Sequence, residues 1–295
     1  MKKPVFEGSG VAIVTPFNEN GIDFDSLGKL IDFQIENGTS AIIICGTTGE
    51  SSTMTDDEHE SAIEFAVAHV AGRVKVIAGA GSNDTGYAVE LSKYAQIAGA
   101  DALLHVTPYY NKASQKGLVK HFTAIADAVD IPVILYDVPS RTGLTIGIET
   151  YRELSKHPNI NGTKEACGSL SHIAKIVYNC GDDMNIWSGE DDQVIPIMSL
   201  GGKGVISVVA NIMPREIADM CRYALAGDFK EAGRRQIELL DVCNDMFVEV
   251  NPIPVKTALN LMGMKAGSLR LPLCEMEDVN LEKMKATLKK HGLIR

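Results

Sequence analysis

Residues 41–51 read AIIICGTTGES, and the architecture of the chain can be worked out from this one stretch. Its first part, Ala41–Cys45, is a continuous apolar run that suits a strand buried on both faces of a parallel sheet. Its second part is a turn of glycines and threonines, and an amphipathic segment with an acidic start follows at Asp56–Ala71. A buried strand, a polar turn and a helix make one unit of an α/β protein.

The same unit recurs along the chain. Similar short apolar runs, each bounded by Gly, Pro, Asn or Thr, are Gly10–Pro16, Val74–Gly79, Ala102–Val106, Val133–Tyr136, Ile160–Lys164, Met184–Trp187 and Gly204–Val208. The intervening helices are clearest at Asp25–Asn37, Thr85–Ala98 and Lys116–Val129. Eight such repeats predict a parallel (β/α)8 TIM barrel. A doubly wound open sheet is the alternative, and the count of eight and the lack of G-x-G-x-x-G after the first strand disfavour it.

The strand signal stops after Pro214, and the chain then reads as helices to Arg295 with a break at 251–254. We therefore predict an α/β barrel over residues 1–214, which carries the active site, and a C-terminal helical extension over residues 215–295. Because nothing between the two parts resembles a linker, we expect the extension to pack on the barrel.

Composition excludes several classes of function. The net charge of −10 argues against nucleic-acid and anionic-membrane partners, because phosphate binding needs clustered Lys and Arg. The six cysteines form no C-x-x-C pair, which predicts reduced thiols rather than a zinc site or a disulfide scaffold. The N-terminus lacks the apolar region of a signal peptide, and no run approaches the roughly 18 apolar residues of a membrane span. These features predict a cytoplasmic protein.

The residues that could carry chemistry follow the strands, where barrel enzymes place their active sites. Lys164 comes directly after an apolar strand, so burial would lower its pKa and leave a neutral amine able to form a Schiff base with a keto acid. From its position alone, a solvated lysine at a strand end stays an open alternative.

Other strand ends supply polar partners. The turn at 46–50 offers backbone N–H groups and hydroxyls that suit a carboxylate. Tyr110 and Tyr136 offer phenols for proton transfer, and Arg141 offers a guanidinium for a second carboxylate. Taken singly, each has an ordinary alternative: a glycine turn, a packed tyrosine, a surface arginine. No spacing resembles a pair of metal ligands, so we predict no metal.

Together these residues resemble the dihydrodipicolinate synthase family of the pyruvate-dependent aldolases and lyases, over nearly the whole chain. The motifs that carry the resemblance are GTTGES (46–51), TPYYN (107–111), YDVPSRTG (136–143), KEA (164–166), GVIS (204–207) and NPIPVK (251–256). The family implies condensation of pyruvate with L-aspartate 4-semialdehyde to 4-hydroxy-tetrahydrodipicolinate, in diaminopimelate and lysine biosynthesis. It implies a covalent imine with no metal or organic cofactor, and a homotetramer built as a dimer of dimers.

The resemblance also implies catalytic roles. Lys164 matches the Schiff-base lysine, and Tyr136 matches the proton-transfer tyrosine beside it. Thr47 matches the threonine that links two phenols in a proton relay. Tyr110 matches the second phenol, which reaches the site from the neighbouring subunit.

Four further positions match substrate-binding residues of the family. Thr48 matches a residue that binds the pyruvate carboxylate, and Ile206 matches one whose backbone carbonyl faces the bound pyruvate. Gly189 falls at a substrate-binding position after the seventh strand. Arg141 matches the arginine that holds the semialdehyde carboxylate at the site entrance.

Two other functions stay open beside this one. A sister enzyme, such as N-acetylneuraminate lyase or a keto-deoxy-sugar acid aldolase, shares the lysine, the glycine–threonine loop and the tyrosine after strand five. Arg141 and the pair Tyr109-Tyr110 favour the synthase, because a small semialdehyde carboxylate needs a cation near the entrance. A non-enzymatic barrel that only binds a keto acid is disfavoured by the presence of Lys164, Tyr136 and Thr47 together with Tyr110.

Many family members are inhibited by lysine in a cleft between subunits. Positions that match this cleft are Ser51, His59, Asn83 and Tyr109. Two positions depart from the lysine-sensitive pattern: Asp56 replaces a common histidine, and Tyr87 replaces the glutamate that usually pairs with the effector's amine. Because a buried ammonium without its partner is costly, we predict weak or absent inhibition.

Overall fold

The computed structural model describes residues 2–295. Eight parallel strands form one closed barrel, which confirms the predicted fold class. The strands are β1 (Gly8–Ala12), β2 (Ala41–Ile44), β3 (Lys75–Gly79), β4 (Ala102–Val106), β5 (Val133–Asp137), β6 (Ile160–Glu165), β7 (Asn185–Ser188) and β8 (Gly204–Ser207). The barrel closes where β8 pairs with β1, with Gly204 opposite Gly8 and Ile206 opposite Gly10.

Helices follow the strands around the outside. They are α1 (Phe24–Glu36), α2 (Asp56–Val70), α3 (Thr85–Ala98), α4 (Gln115–Asp127), α5 (Pro139–Thr142), α6 (Ile148–Leu154), α7 (Leu170–Cys180), α8 (Val194–Ser199), α9 (Pro214–Leu225), α10 (Phe229–Glu238), α11 (Leu240–Asp245), α12 (Ile253–Leu261) and α13 (Asp278–Lys290). A small antiparallel hairpin, Phe17–Asn18 with Gly21–Ile22, lies between β1 and α1. No helix in the described part of the chain combines the length and the apolar character needed to cross a membrane.

The first strand differs most from its predicted range. It ends at Ala12, whereas the apolar run extends to Pro16. The reason is a side chain from the segment that follows β8, the strand paired with β1. The backbone N–H of Val14 donates to the side-chain Oδ1 of Asn211 at 3.2 Å. This side-chain oxygen takes the place of a backbone carbonyl of a neighbouring strand, so the chain leaves the sheet here.

The helix α9 follows β8 and packs against β1, as the eighth helix of a barrel does. It begins at Pro214, so the predicted boundary at 214 falls at its first residue. The later helices form the C-terminal part, in which α12 and α13 pack together. The division of the chain at residue 214 stays a prediction.

The inside of the barrel has its own small apolar core. Phe6, which precedes β1, stacks on Trp187 with ring centroids 5.2 Å apart. The indole Nε1–H of Trp187 donates to the carbonyl of Phe6 at 3.2 Å. These rings fill the end of the barrel at which the strands begin, and the polar residues collect at the other end.

Candidate active site

A cavity of about 680 Å³ lies at the C-terminal ends of the strands. Six of the predicted catalytic and substrate-binding residues line it, and five of them do so with their side chains: Thr47, Thr48, Tyr136, Arg141 and Lys164. Gly189, after β7, also lines it. Parallel strands bring residues that are far apart in sequence to one rim, which is why these side chains meet. Other barrel residues line the rest of the cavity, together with residues 247–251 of the C-terminal part.

Lys164 is only 5% exposed, near the end of β6. Its Nζ lies 4.3 Å from the centre of the Tyr136 ring. Burial lowers the pKa of its amine to about 8, while the nearby charges of Asp191 and Glu190 oppose that shift. A much larger share of the amine is therefore neutral near neutral pH than in a solvated lysine. Glu190 also lines the cavity, and no sequence motif had predicted a role for it.

Tyr136 lies inside the barrel mouth at the end of β5. Burial raises the pKa of its phenol to about 12, against the opposing charge of Arg141 and a hydrogen bond with the Thr47 side chain. The phenol therefore stays protonated and can donate. Tyr110 is separate from this pair: it is 92% exposed on the loop after β4, with a left-handed φ of 67°.

Asn251 connects two of the predicted carboxylate-binding residues. Its Nδ2 donates to the hydroxyl of Thr48 at 3.0 Å, and its carbonyl accepts from Nη2 of Arg141 at 3.1 Å. It is buried, and it lines the cavity from the segment just before α12. The sequence pointed to this residue only as part of a helix break and a family motif, because side-chain contacts across 110 positions leave no spacing signal.

The two remaining substrate-binding predictions differ in placement. A Cβ on Gly189 would lie 3.0 Å from Cε of Lys164 and 2.8 Å from Cβ of Ala166, so only glycine fits there. Ile206 is fully buried within β8, opposite Gly10, and is part of the core inside the barrel rather than of the cavity lining.

The four residues of the predicted effector cleft lie in three different surroundings. Ser51 lines the active-site cavity. His59 is buried, and its Nε2 bonds the carbonyl of Gly79 at 2.8 Å. Asn83 and Tyr109 are joined at the surface, where the amide of Asn83 donates to the carbonyl of Tyr109 at 3.2 Å.

One group of three acidic or histidine side chains has donor atoms within 4.8 Å of one another among residues 2–295. It consists of Asp137, Glu165 and His172. None of the three lines the cavity, because Asp137 and Glu165 point to the opposite side of their strands from Tyr136 and Lys164. Because the three residues are far apart in the sequence, no motif predicted this cluster.

Comparisons with known proteins agree over the full length. The model of the dihydrodipicolinate synthetase family matches residues 5–291. A 4-hydroxy-tetrahydrodipicolinate synthase of Thermoanaerobacter sp. (strain X514) is 61% identical over 293 residues, which cover 99% of each chain. A solved dihydrodipicolinate synthase from Aquifex aeolicus is 48% identical with a TM-score of 0.96, covering 98% of this chain and 99% of that one. The chloride-inhibited enzyme from Acinetobacter baumannii, solved in complex with pyruvate, is 42% identical with a TM-score of 0.96, covering 98% of this chain and 100% of that one.

Proposed function

The chain belongs to the dihydrodipicolinate synthetase family, and we propose that Lys164 performs the family reaction through a Schiff base with pyruvate. The reaction condenses pyruvate with L-aspartate 4-semialdehyde to 4-hydroxy-tetrahydrodipicolinate, in diaminopimelate and lysine biosynthesis, and makes the protein a lyase. The observation that carries the proposal is the buried amine of Lys164, 4.3 Å from the Tyr136 ring in the cavity.

The chemistry follows from a neutral amine in a closed site. The amine attacks the keto carbon of pyruvate, a C–N bond forms, and the keto oxygen leaves as water. The resulting iminium withdraws electrons, so a methyl proton is lost and an enamine forms. The enamine carbon then bonds to the aldehyde carbon of the second substrate. Attack of that substrate's amino group on the iminium carbon closes the ring and releases Lys164.

Proton transfer in these steps needs a hydroxyl chain. Tyr136 donates and accepts protons beside the amine, and its hydrogen bond with Thr47 supports a relay through that hydroxyl. We propose that Tyr110 completes the relay in the site of a neighbouring subunit, within a homotetramer built as a dimer of dimers. Its 92% exposure at the end of a barrel strand supports that role.

The carboxylates of the two substrates need separate partners. We propose that Thr48 binds that of pyruvate and Arg141 that of the semialdehyde, with Gly189 and the carbonyl of Ile206 facing the bound pyruvate. Thr48 and Arg141 both line the cavity and share Asn251 as a neighbour, which supports two subsites side by side.

We propose that the reaction needs no external cofactor, because the iminium on Lys164 is itself the electron sink. We also propose a cytoplasmic location. The six cysteines are free thiols, and five of them are wholly or partly buried, which suits a reducing compartment.

Borohydride reduction in the presence of pyruvate, followed by peptide mass mapping, tests the Schiff base. We expect a reduced pyruvate adduct on the peptide that contains Lys164. Lys164→Arg keeps the positive charge but lacks the nucleophile, so this variant should acquire no adduct and should not turn over. An adduct on another lysine, or full activity in Lys164→Arg, would refute the assignment.

Substrate competition tests the choice of the second substrate. We expect faster turnover with aspartate semialdehyde than with the sugar acids of the sister enzymes. Arg141→Ala should reduce use of the semialdehyde more than formation of the pyruvate adduct. Equal losses of both would contradict the role of Arg141, and faster turnover of a sugar acid would reject the synthase.

Feedback by lysine is the remaining part of the proposal. The hydroxyl of Tyr87 donates to Oδ1 of Asp56 at 2.7 Å, so the two positions that depart from the lysine-sensitive pattern bond to each other. That bond occupies the Asp56 carboxylate and supports weak or absent inhibition. Strong inhibition of initial rates by millimolar lysine would overturn this.

A further inference from the structure

Two buried carboxyl groups lie directly behind Lys164 and Tyr136. Asp137 and Glu165 are the next residues on β5 and β6, and they stand opposite each other across the two strands. Both are fully buried against α6 and α7, and no lysine or arginine of residues 2–295 forms an ion pair with either. Two buried charges of the same sign without a cation are very unfavourable, so one of them must be compensated.

The hydrogen bonds of the two groups are unequal. Oε1 of Glu165 accepts from the hydroxyls of Tyr151 and Thr163. Asp137 accepts only from the backbone N–H of Ile146, at 3.2 Å on Oδ2. Donors stabilise a charged carboxylate, so the negative charge belongs on Glu165.

The second oxygen of each carboxyl group indicates where a shared proton can lie. Oδ1 of Asp137 and Oε2 of Glu165 are buried without a nitrogen or oxygen donor, and the two carboxyl groups come within 4.8 Å of each other. The thiol of Cys167 also donates to the Glu165 carboxylate. We propose that Asp137 and Glu165 share one proton, held on Oδ1 of Asp137 and donated to Oε2 of Glu165, and that this pair positions Tyr136 and Lys164. The positioning role rests on the proposed function of those two residues.

The other groups that face the pair supply no positive charge. Tyr151 from α6 is neutral, because burial raises the pKa of its phenol well above 10.0. His172 from α7 is neutral near pH 7, because burial lowers the pKa of its imidazole. Cys167, after β6, stays a thiol, since burial raises its pKa to about 12. Only a proton on one of the carboxyls therefore lowers the charge of the cluster.

The titration of Asp137 is consistent with this arrangement. Burial, together with the charge of Glu165, raises the pKa of Asp137 to about 8. The state of Asp137 also matters at the active site, because an ionised Asp137 raises the pKa of the Tyr136 phenol. A protonated Asp137 therefore makes proton transfer by Tyr136 easier.

Asp137→Asn tests the shared proton, because the amide keeps the donor and the shape but cannot ionise. The pKa of Asp137 is raised from 3.8 in the unfolded chain, so the wild-type protein loses stability as the pH rises towards 8. We expect the Tm of Asp137→Asn minus that of the wild type to increase between about pH 5 and pH 8. Asp130→Asn, at an exposed position, is the matched control and should show a constant difference.

Measurements of kcat distinguish a positioning role of Asp137 from a role in stability alone. Asp137→Asn should keep kcat close to that of the wild type near neutral pH. Asp137→Leu, which has no donor, should lower kcat about tenfold or more in folded protein, with a smaller change in KM for pyruvate. Equal kcat in the two variants would refute the positioning role.

Two further results would overturn the shared proton. One is a Tm difference for Asp137→Asn that does not change with pH. The other is stoichiometric Zn²⁺ or Mn²⁺ binding that raises the Tm of the wild type but not of Asp137→Asn, since a cation would then replace the proton. Failure of the borohydride adduct on Lys164, with the Tm result as expected, would instead refute the proposed function and the positioning role with it.

Discussion

Lys164 is governed at the residue scale by two opposing effects. Burial lowers the pKa of its amine to about 8, and the charges of Asp191 and Glu190 keep it from falling further. In the proposed mechanism only the neutral amine attacks pyruvate, so its reactivity should increase with pH around that value rather than around 10.5.

We predict that Glu190→Gln moves this midpoint to lower pH, because it removes a charge that favours the protonated amine. The measurement is the initial rate of pyruvate trapping by borohydride as a function of pH. Asp192→Asn is the control: it removes a neighbouring exposed acid and should leave the midpoint in place. A midpoint that rises or does not move in Glu190→Gln would contradict the electrostatic argument.

The sequence predicted part of this site and could not predict the rest. Lys164 and Tyr136 lie near the ends of strands and Thr47 follows one, and every strand end of a barrel reaches the same rim, so their meeting was predictable. Asn251 and the Asp137–Glu165 pair were not. Their contacts depend on how the C-terminal part docks and on which helices cover β5 and β6, and neither leaves a pattern in the sequence.

At the scale of elements, the strands were predicted to within a few residues. A strand buried on both faces has a continuous apolar sequence, and few other elements produce apolar runs as short as these. The exception is the end of β1. It depends on a hydrogen bond to the side chain of Asn211, and no local sequence pattern predicts that contact. The two-residue strands of the hairpin at 17–22 were likewise too short for any periodicity.

The tip of β7 gives a prediction at this scale. Gly189 donates its N–H to the carbonyl of Glu165 at 2.6 Å, so its backbone cannot easily withdraw from Lys164. Gly189→Ala should therefore displace the lysine, slow imine formation by up to about 100-fold, and destabilise the fold by about 1–3 kcal/mol.

Trapping rates and urea unfolding measure the two effects of Gly189→Ala. Gly233→Ala is the matched glycine control, because nothing lies within 4 Å of its added methyl group in α10. That control should be neutral or stabilised by about 0.5–1 kcal/mol. Normal trapping in Gly189→Ala would show that the close contact is not functional.

At the scale of the whole molecule, one buried ion pair joins the C-terminal part to the barrel. Nζ of Lys256, in α12, donates to Glu50 at 2.7 Å, to the carbonyl of Thr15 at 3.0 Å and to that of Ser268 at 2.6 Å. Both charged side chains are 1% exposed. Glu50 ends the turn that presents Thr47, so the pair also supports the site.

Lys256→Met should destabilise the protein by about 3–5 kcal/mol, because it leaves the Glu50 carboxylate buried and unpaired. Adding Glu50→Gln should recover part of that loss. Lys285→Ala, which breaks the exposed pair with Glu282, should change the free energy of unfolding by less than about 1 kcal/mol. Denaturant unfolding compares all of these variants, and equal effects of Lys256→Met and Lys285→Ala would contradict the prediction.

The proposed assembly makes a second prediction at this scale. Tyr110→Phe and Lys164→Arg should each lower activity strongly, yet subunits exchanged between them should regain about a quarter of the wild-type rate, because mixed pairs contain one intact site. Thr47→Val mixed with Lys164→Arg is the control and should regain nothing, since both residues serve the site of their own chain. No recovery in the first mixture would place Tyr110 outside the neighbouring site.

The contacts of Asn251 have a consequence for selectivity. One residue from outside the barrel bonds to both Thr48 and Arg141, the proposed partners of the two substrate carboxylates. We propose that the segment at 247–251 thereby sets the distance between the binding sites of the two substrate carboxylates. A barrel with the same lysine and the same tyrosine could come to accept a longer aldehyde through a change in this segment alone.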